Sequence, residues 1–181
     1  MTVNVDDFAA FAEAFVSDSD VLLRRAHADD LDAVATMHEA TFRAWMEPLV
    51  GWSSDLQRKH VADDLLDEGS FCIVCGDDRR VVGHLLLALH ADDRSVLLSR
   101  IVVRPDWQQR GIGTSVVQHL LRWAHARQSA VSLTVWKANS IALNWYAKLG
   151  FVVRKRSGFK IEMIARPLGT QSDDDEDDDD D

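Results

Sequence analysis

The sequence predicts an α/β protein in which helices flank one mixed central sheet, an antiparallel meander joined to a parallel pair. Three observations carry that prediction. Strand-like runs at roughly 70–75, 81–90 and 95–103 are separated only by short polar turns, Gly76-Asp77-Asp78-Arg79 and Ala91-Asp92-Asp93-Arg94, as in an antiparallel meander. A glycine-bearing turn, Gly111-Ile112-Gly113, then opens a helix that leads to a strand at 131–135. Strand, helix and strand in that order form a crossover unit with parallel strands. Two last runs, Phe151-Val152-Val153 and Phe159-Lys160-Ile161-Glu162-Met163, fold back around Ser157-Gly158 as a hairpin.

Each element has a local cause. Residues 1–20 carry Val5, Phe8, Ala12 and Phe15 at helical spacing, so they form either a short docked helix or a mobile arm. Val21-Leu22-Leu23-Arg24-Arg25 is a first strand. Asp29 or Asp30 then caps a helix that runs through Leu31, Val34, Met37 and His38, and Pro48 and Gly51 are expected to break it. A second helix begins at Ser53 or Ser54, turns Leu56, His60, Val61 and Leu65 to one face, and ends by Gly69. The run Val96 to Val103 is almost wholly apolar, which predicts a central strand buried on both faces and stopped by Pro105. The helix after Gly111 has Ile112, Val116, Val117, Leu120, Leu121 and Ala124 on one stripe. A helix over 139–149 ends at Gly150, suited to a left-handed C-cap. The expected organisation is an arm or short helix at 1–20, one domain at 21–168 and a disordered acidic tail at 169–181, which holds almost nothing apolar to bury.

The chain has 181 residues, 46% of them apolar, enough for one domain with a full core. Its formal charge is −10, but Asp173 to Asp181 are nine consecutive acids, and without them 20 basic residues face 21 acidic ones. A nearly neutral body lacks the basic face of a nucleic-acid binder. Cys72 and Cys75 have C-x-x-C spacing but fall on a strand, where positions three apart point to opposite faces, so they are expected to be buried reduced thiols and not a metal or redox pair. No apolar stretch is long enough for a membrane span and no secretory leader is evident, which makes the cytoplasm, or the nucleus, the expected location.

Two segments carry chemistry. In Val103-Arg104-Pro105-Asp106-Trp107-Gln108-Gln109-Arg110-Gly111-Ile112-Gly113-Thr114, a turn runs from an apolar strand into a helix N-terminus. Unpaired N–H groups and the positive end of the helix dipole meet there, making an anion site that suits a pyrophosphate. Gly111 and Gly113 let oxygens approach the main chain. Neither the phosphate-loop Lys-Ser/Thr nor the third glycine of a dinucleotide fingerprint is present. The second segment runs from Asn139 through Tyr146 to Gly150-Phe151, and Asn139 and Tyr146, seven apart, share a helix face. A phenol of pKa about 10 can pass a proton to a thiolate of about 8.5 as that thiolate forms.

Together these segments resemble the Gcn5-related N-acetyltransferase family. Gln108-x-x-Gly111-x-Gly113 is similar to its pyrophosphate motif, and Asn139, Ala142, Tyr146, Gly150 and Phe151 are similar to its second motif, in the family's order; the resemblance covers roughly 21–167. It implies the acyl-CoA N-acyltransferase fold and transfer of acetyl from acetyl-CoA to a primary amine, on a small molecule or a protein, with no metal. By the same resemblance Ile101, Val102 and Val103 would hold the pantetheine arm through their main chain. Amides of Gln109, Arg110, Gly111, Ile112, Gly113 and Thr114 would hold the pyrophosphate, with Gln108 opening that motif. Asn139 would touch the cofactor, an amide near Val102 would stabilise the oxyanion, and Tyr146 would protonate the sulfur.

One departure stands out. Where many relatives place an acid on the central strand, this chain has Ser99-Arg100, which leaves His84, His90 or solvent as proton acceptors for the amine. Substrate contacts are expected from Phe42, Trp45, Met46, Leu49 and Trp52, and from Arg154, Lys155, Arg156 and Phe159 near the hairpin turn, with Trp45, Trp52 and His84 the chosen candidates. Two other readings stay open at this stage: an acyl-CoA-binding module of the same fold without catalysis, and an interaction protein acting through its acidic tail. Oligomeric state is undetermined.

Overall fold

The computed structural model describes residues 3–15, 20–90 and 95–168. The expected turn at 91–94 and the acidic tail from 169 onward lie outside them. The order of elements is α1 (Asp7–Glu13), β1 (Val21–Arg25), α2 (Leu31–Val50), α3 (Ser54–Leu65), β2 (Ser70–Cys75), β3 (Arg80–Leu89), β4 (Val96–Val103), α4 (Ile112–His125), β5 (Val131–Trp136), α5 (Ser140–Lys148), β6 (Val152–Ser157) and β7 (Lys160–Ala165). The strands form one seven-stranded sheet in the order β1-β2-β3-β4-β5-β7-β6. Among the described residues only β4 and β5 pair in parallel, and they are the two strands joined through α4. This is the mixed α/β sheet that the sequence predicts.

Strand alternation divides the core in two. Phe71, Ile73, Val82, Leu85, Leu98, Leu133 and Met163 face α1, α4 and α5, while Cys72, Val74 and Val102 face Val34 and Met37 of α2 and Val61 and Leu65 of α3. Cys72 and Cys75 therefore point to opposite faces, and burial pushes the Cys72 thiol up to about 12, which keeps it protonated and inert. Gly83 is required where β3 crosses Ile73 and Val102, because a Cβ there would come within 2.7 Å of the Val102 carbonyl oxygen.

Several local expectations are corrected. In α1 the buried residues are Phe8, Phe11 and Ala12, with Val3 and Phe15 beside them, while Val5 is exposed, because the helix rotates Phe11 onto Trp123 and Phe71. Helix α2 runs through Pro48 to Gly51, whose φ of 76° ends it. A proline near the end of a helix removes one bond but interrupts little that follows. Asp30 begins α2 without capping it: its carboxylate takes two bonds from Arg24, at 2.7 and 2.8 Å, and one from the His27 amide. That pairing holds Asp30 at a pKa of about 2. On α3, Leu56 and His60 face solvent, and only Val61 and Leu65 are buried. Strand β4 is buried on both faces only in part, since Ser99 is exposed and Arg100, Ile101 and Val103 are half-buried. Among the described residues, no helix is long and apolar enough to cross a membrane.

Candidate functional site

The parallel pairing of β4 and β5 is short. It joins Val96, Leu97 and Leu98 to Val131, Ser132 and Leu133 and goes no further, although β4 continues to Val103 and β5 to Trp136. The cause lies in β4 itself. Leu86 and Leu87 of β3 face Arg100 and Leu98, so Ser99 is an extra residue, a bulge that bends β4 away. A wedge-shaped gap opens beyond it, bordered by Ile101–Val103 on one side and Thr134–Trp136 on the other.

Ladder alternation decides which groups face this gap. The Arg104 amide donates to Val82 of β3, so the bonded pairs recur at Val102 with His84, and Ile101 and Val103 turn their N–H and C=O to the open edge. Of the amides near Val102 expected to meet the oxyanion, that of Val102 itself is engaged with β3, and its neighbours Ile101 and Val103 hold the outward groups.

Strand β4 leads directly into the α4 turn. Gln109 and Gly111 both take left-handed backbone, with φ of 61° and 80°, and Gly111 is the N-cap of α4. The first α4 amide to bond back is Ser115, onto Gly111, so those of Ile112, Gly113 and Thr114 point off the helix end. A Cβ at Gly111 would meet nothing within 4 Å, which shows how open this concavity is. Side chains hold the loop in shape: Gln108 Nε2 donates to the Val103 carbonyl at 2.9 Å, and Arg110 donates to Asp106 O at 3.0 Å while lying over Trp107.

Helix α5 packs beside this turn. Asn139 is its N-cap, with Oδ1 accepting from the Ala142 amide at 3.1 Å, so that oxygen is already used and only its NH2 group is left for a ligand. Trp145 Nε1 donates to Thr114 Oγ1 at 3.2 Å, and its ring lies 3.4 Å from where a Cβ on Gly113 would be. Tyr146 is buried against Trp145 and Phe151 at 4.7 and 5.5 Å, and burial raises its pKa well above that of an ordinary phenol. At neutral pH the hydroxyl therefore keeps its proton. Tyr146, Ile101 and Val103 all belong to the core on the α4–α5 face.

The α2–α3 face of the same sheet is polar. Arg100, aimed by the bulge, forms an ion pair with Asp64 of α3. His84 is fully buried, bonded through Nε2 to Ser70 Oγ at 2.9 Å, and burial pulls its pKa to about 4. His38 of α2 is pulled to about 4 by burial first and then by Arg100, His84 and His60. Nδ1 of each ring is buried without a partner. A small cavity of about 130 Å³ between α2 and α3 touches His38, Trp52 and Glu39. Phe42, Trp45 and Trp136 form a chain of edge-to-face rings 6.0 and 6.4 Å apart, so Trp45 on α2 reaches the free end of β5.

Residues 34–151 match the Acetyltransferase (GNAT) family. The chain belongs to that family. It is 27% identical over 143 residues to an uncharacterized N-acetyltransferase of Mycobacterium tuberculosis, covering 73% of this chain and 89% of the relative. It is 30% identical over 101 residues to the streptothricin acetyltransferase of Escherichia coli, covering 55% and 58% respectively. The fold is similar to that of a Thermoplasma acidophilum PaiA N-acetyltransferase in complex with coenzyme A, with TM-score 0.64, 15% identity, and coverage of 81% and 98%. The protein is an acetyl-CoA-dependent acetyltransferase.

Within this acetyltransferase the sequence-derived residues divide cleanly. Ile101, Val103, Gln108 to Thr114, Asn139 and Tyr146 lie on the gap edge, the α4 turn or α5. Trp45 and Trp52 lie on the opposite face, half-buried. His84 is enclosed by β2 and β4 and cannot reach an acceptor, and His90 sits at the closed end of the β3–β4 hairpin, its amide bonded to Ser95. Trp145, Trp136 and the Arg100–Asp64 pair were not singled out from the sequence. Trp145 stood next to Tyr146 in the motif, and the alternation Thr134, Trp136 could have flagged the second face; the Asp64 contact spans 36 residues and left no local trace.

Proposed function

We propose that acetyl-CoA lies along the open edge of β4 with its pyrophosphate at the α4 turn, and that a primary amine reaches the thioester from the α2–α3 face. The observation that carries this is the loss of β4–β5 pairing after Leu98, on the strand that runs straight into unpaired α4 amides. An open strand edge accepts an amide-bearing chain as an added strand. The outward amides of Ile101 and Val103 are the groups available to the carbonyl oxygen as it gains charge. The amine nitrogen attacks the thioester carbon, and the intermediate collapses with cleavage of the C–S bond. The sulfur then takes the Tyr146 proton, and the phenolate regains one from solvent. No carboxylate stands on β4 beside the gap, so the proton lost by the amine passes to water.

The test is thiol release from acetyl-CoA by the full chain with a panel of alkylamines, polyamines, aminoglycosides and short peptides. Turnover with at least one amine, and acetylation of its nitrogen by mass spectrometry, is the expected result. Coenzyme A binding without turnover toward any amine would overturn the catalytic reading.

A further inference from the structure

Strand alternation places a specific set of side chains on the α2 side of the gap. In β5 and β7, Val131, Leu133, Val135, Ile161, Met163 and Ala165 face the α4 core. Their alternates face α2, and the register pairs Thr134 with Glu162 and Trp136 with Lys160. Thr134 is exposed there, although it lies in an inner strand, so this part of the sheet is uncovered. At its edge Trp45 of α2 meets Trp136 at 6.4 Å and 66°. The ammonium of Lys160 already lies 5.4 Å from the centre of the Trp136 ring. Glu162 is 3.3 Å from Arg154 in a pair that is part-exposed on both sides.

We infer that this corner is a cation subsite: the acceptor carries a second positive group besides the amine that reacts, held by Trp45, Trp136 and Glu162. The inference rests on the acceptor entering from the α2 face, as proposed above. Aromatic faces attract ammonium groups, and a part-exposed, 3.3 Å ion pair gives up its partner at little cost. Lys160 shows that the Trp136 face accepts an ammonium, and it competes with the acceptor for that face. The subsite lies at the free end of β5, so a linear acceptor with one amine in the gap extends its other end along Thr134 toward Trp136.

The experiment compares linear diamines with alkylamines of matched length as acceptors for the full chain with acetyl-CoA. The best diamine is expected to exceed its alkylamine by about tenfold or more in kcat/KM, mainly through KM. Glu162→Gln and Trp136→Leu should each lower that diamine-to-alkylamine ratio about fivefold or more, and Lys160→Met should raise it. Glu162 and Lys160 are part-exposed strand residues, so their variants keep the test valid if Trp136→Leu fails to fold. A ratio near one, or a ratio unmoved by both Glu162→Gln and Lys160→Met, overturns the subsite. If no amine is acetylated, the catalytic reading fails separately, and tryptophan fluorescence with coenzyme A bound decides the subsite alone. A saturable response to the diamine that weakens in Glu162→Gln supports it, and equal responses to diamine and alkylamine overturn it.

Discussion

On the α4–α5 face, the groups beside the gap are apolar or bonded within the chain: Ile101 and Val103 pack into the core, Tyr146 is buried between Trp145 and Phe151, and Trp145 ties α5 to Thr114. The α2–α3 face of the same sheet instead carries an ion pair, two buried histidines held neutral and half-buried tryptophans. The first face presents main-chain groups, which suits the cosubstrate proposed to bind there. The second presents side chains, which can differ between relatives without disturbing the sheet. The contrast teaches that one bulge, at Ser99, serves both: it opens the edge to one side and turns Arg100 toward Asp64 on the other.

The largest expected effect breaks the donor face at its acid. Tyr146→Phe should lower kcat about a hundred- to ten-thousandfold while the KM for acetyl-CoA changes little, because the sulfur needs the proton only as it leaves. Steady-state kinetics with chemistry rate-limiting checks this, and an unaltered kcat removes Tyr146 from the mechanism. Gly113→Glu comes next. A Cβ at Gly113 makes an ordinary 3.4 Å contact with Trp145, so the backbone there tolerates a side chain, and the added carboxylate brings negative charge beside the unpaired α4 amides. Coenzyme A affinity measured by calorimetry should fall about a hundredfold, the scale of placing like charges together.

A smaller effect belongs to the α2 face. His38 and His84 titrate at about 4 in the fold against 6.5 when free, so the unfolded chain binds more protons between those values. Their contribution to stability is complete above pH 6.5 and is lost as pH falls toward 4, with a slope of up to about 1.4 kcal/mol per pH unit for each. Below 4 the slope from this pair vanishes, while Asp30, held at about 2, begins to contribute its own loss. Thermal midpoints measured across this range check the sign, and a midpoint independent of pH between 6.5 and 4.5 would contradict it.

The donor face was largely legible in the sequence because its determinants are local. Gly111, Gly113, Asn139 and Tyr146 fall in two short segments, and the role proposed for each depends on its own turn or helix end. The meander, the parallel pair and the final hairpin also follow from turn chemistry and from the helix between 103 and 131, whereas the placing of β7 between β5 and β6 does not. What could not be read was set by register. The bulge at Ser99 decides which β4 amides face outward, and it appears only when β3 and β4 are aligned. The same is true of His84, which the sequence offers as a candidate base and the fold closes between β2 and β4. The Trp45–Trp136 corner joins residues 91 positions apart.

The measurement that tests the division of the two faces most directly is amide hydrogen exchange with and without coenzyme A. Slowed exchange is predicted at Ile101 and Val103 on the β4 edge and at Ile112, Gly113 and Thr114 of the α4 turn, with α2 and α3 unchanged. Protection centred on residues 36–58 of α2 and α3, with the β4 edge and the α4 turn unaltered, would contradict the account.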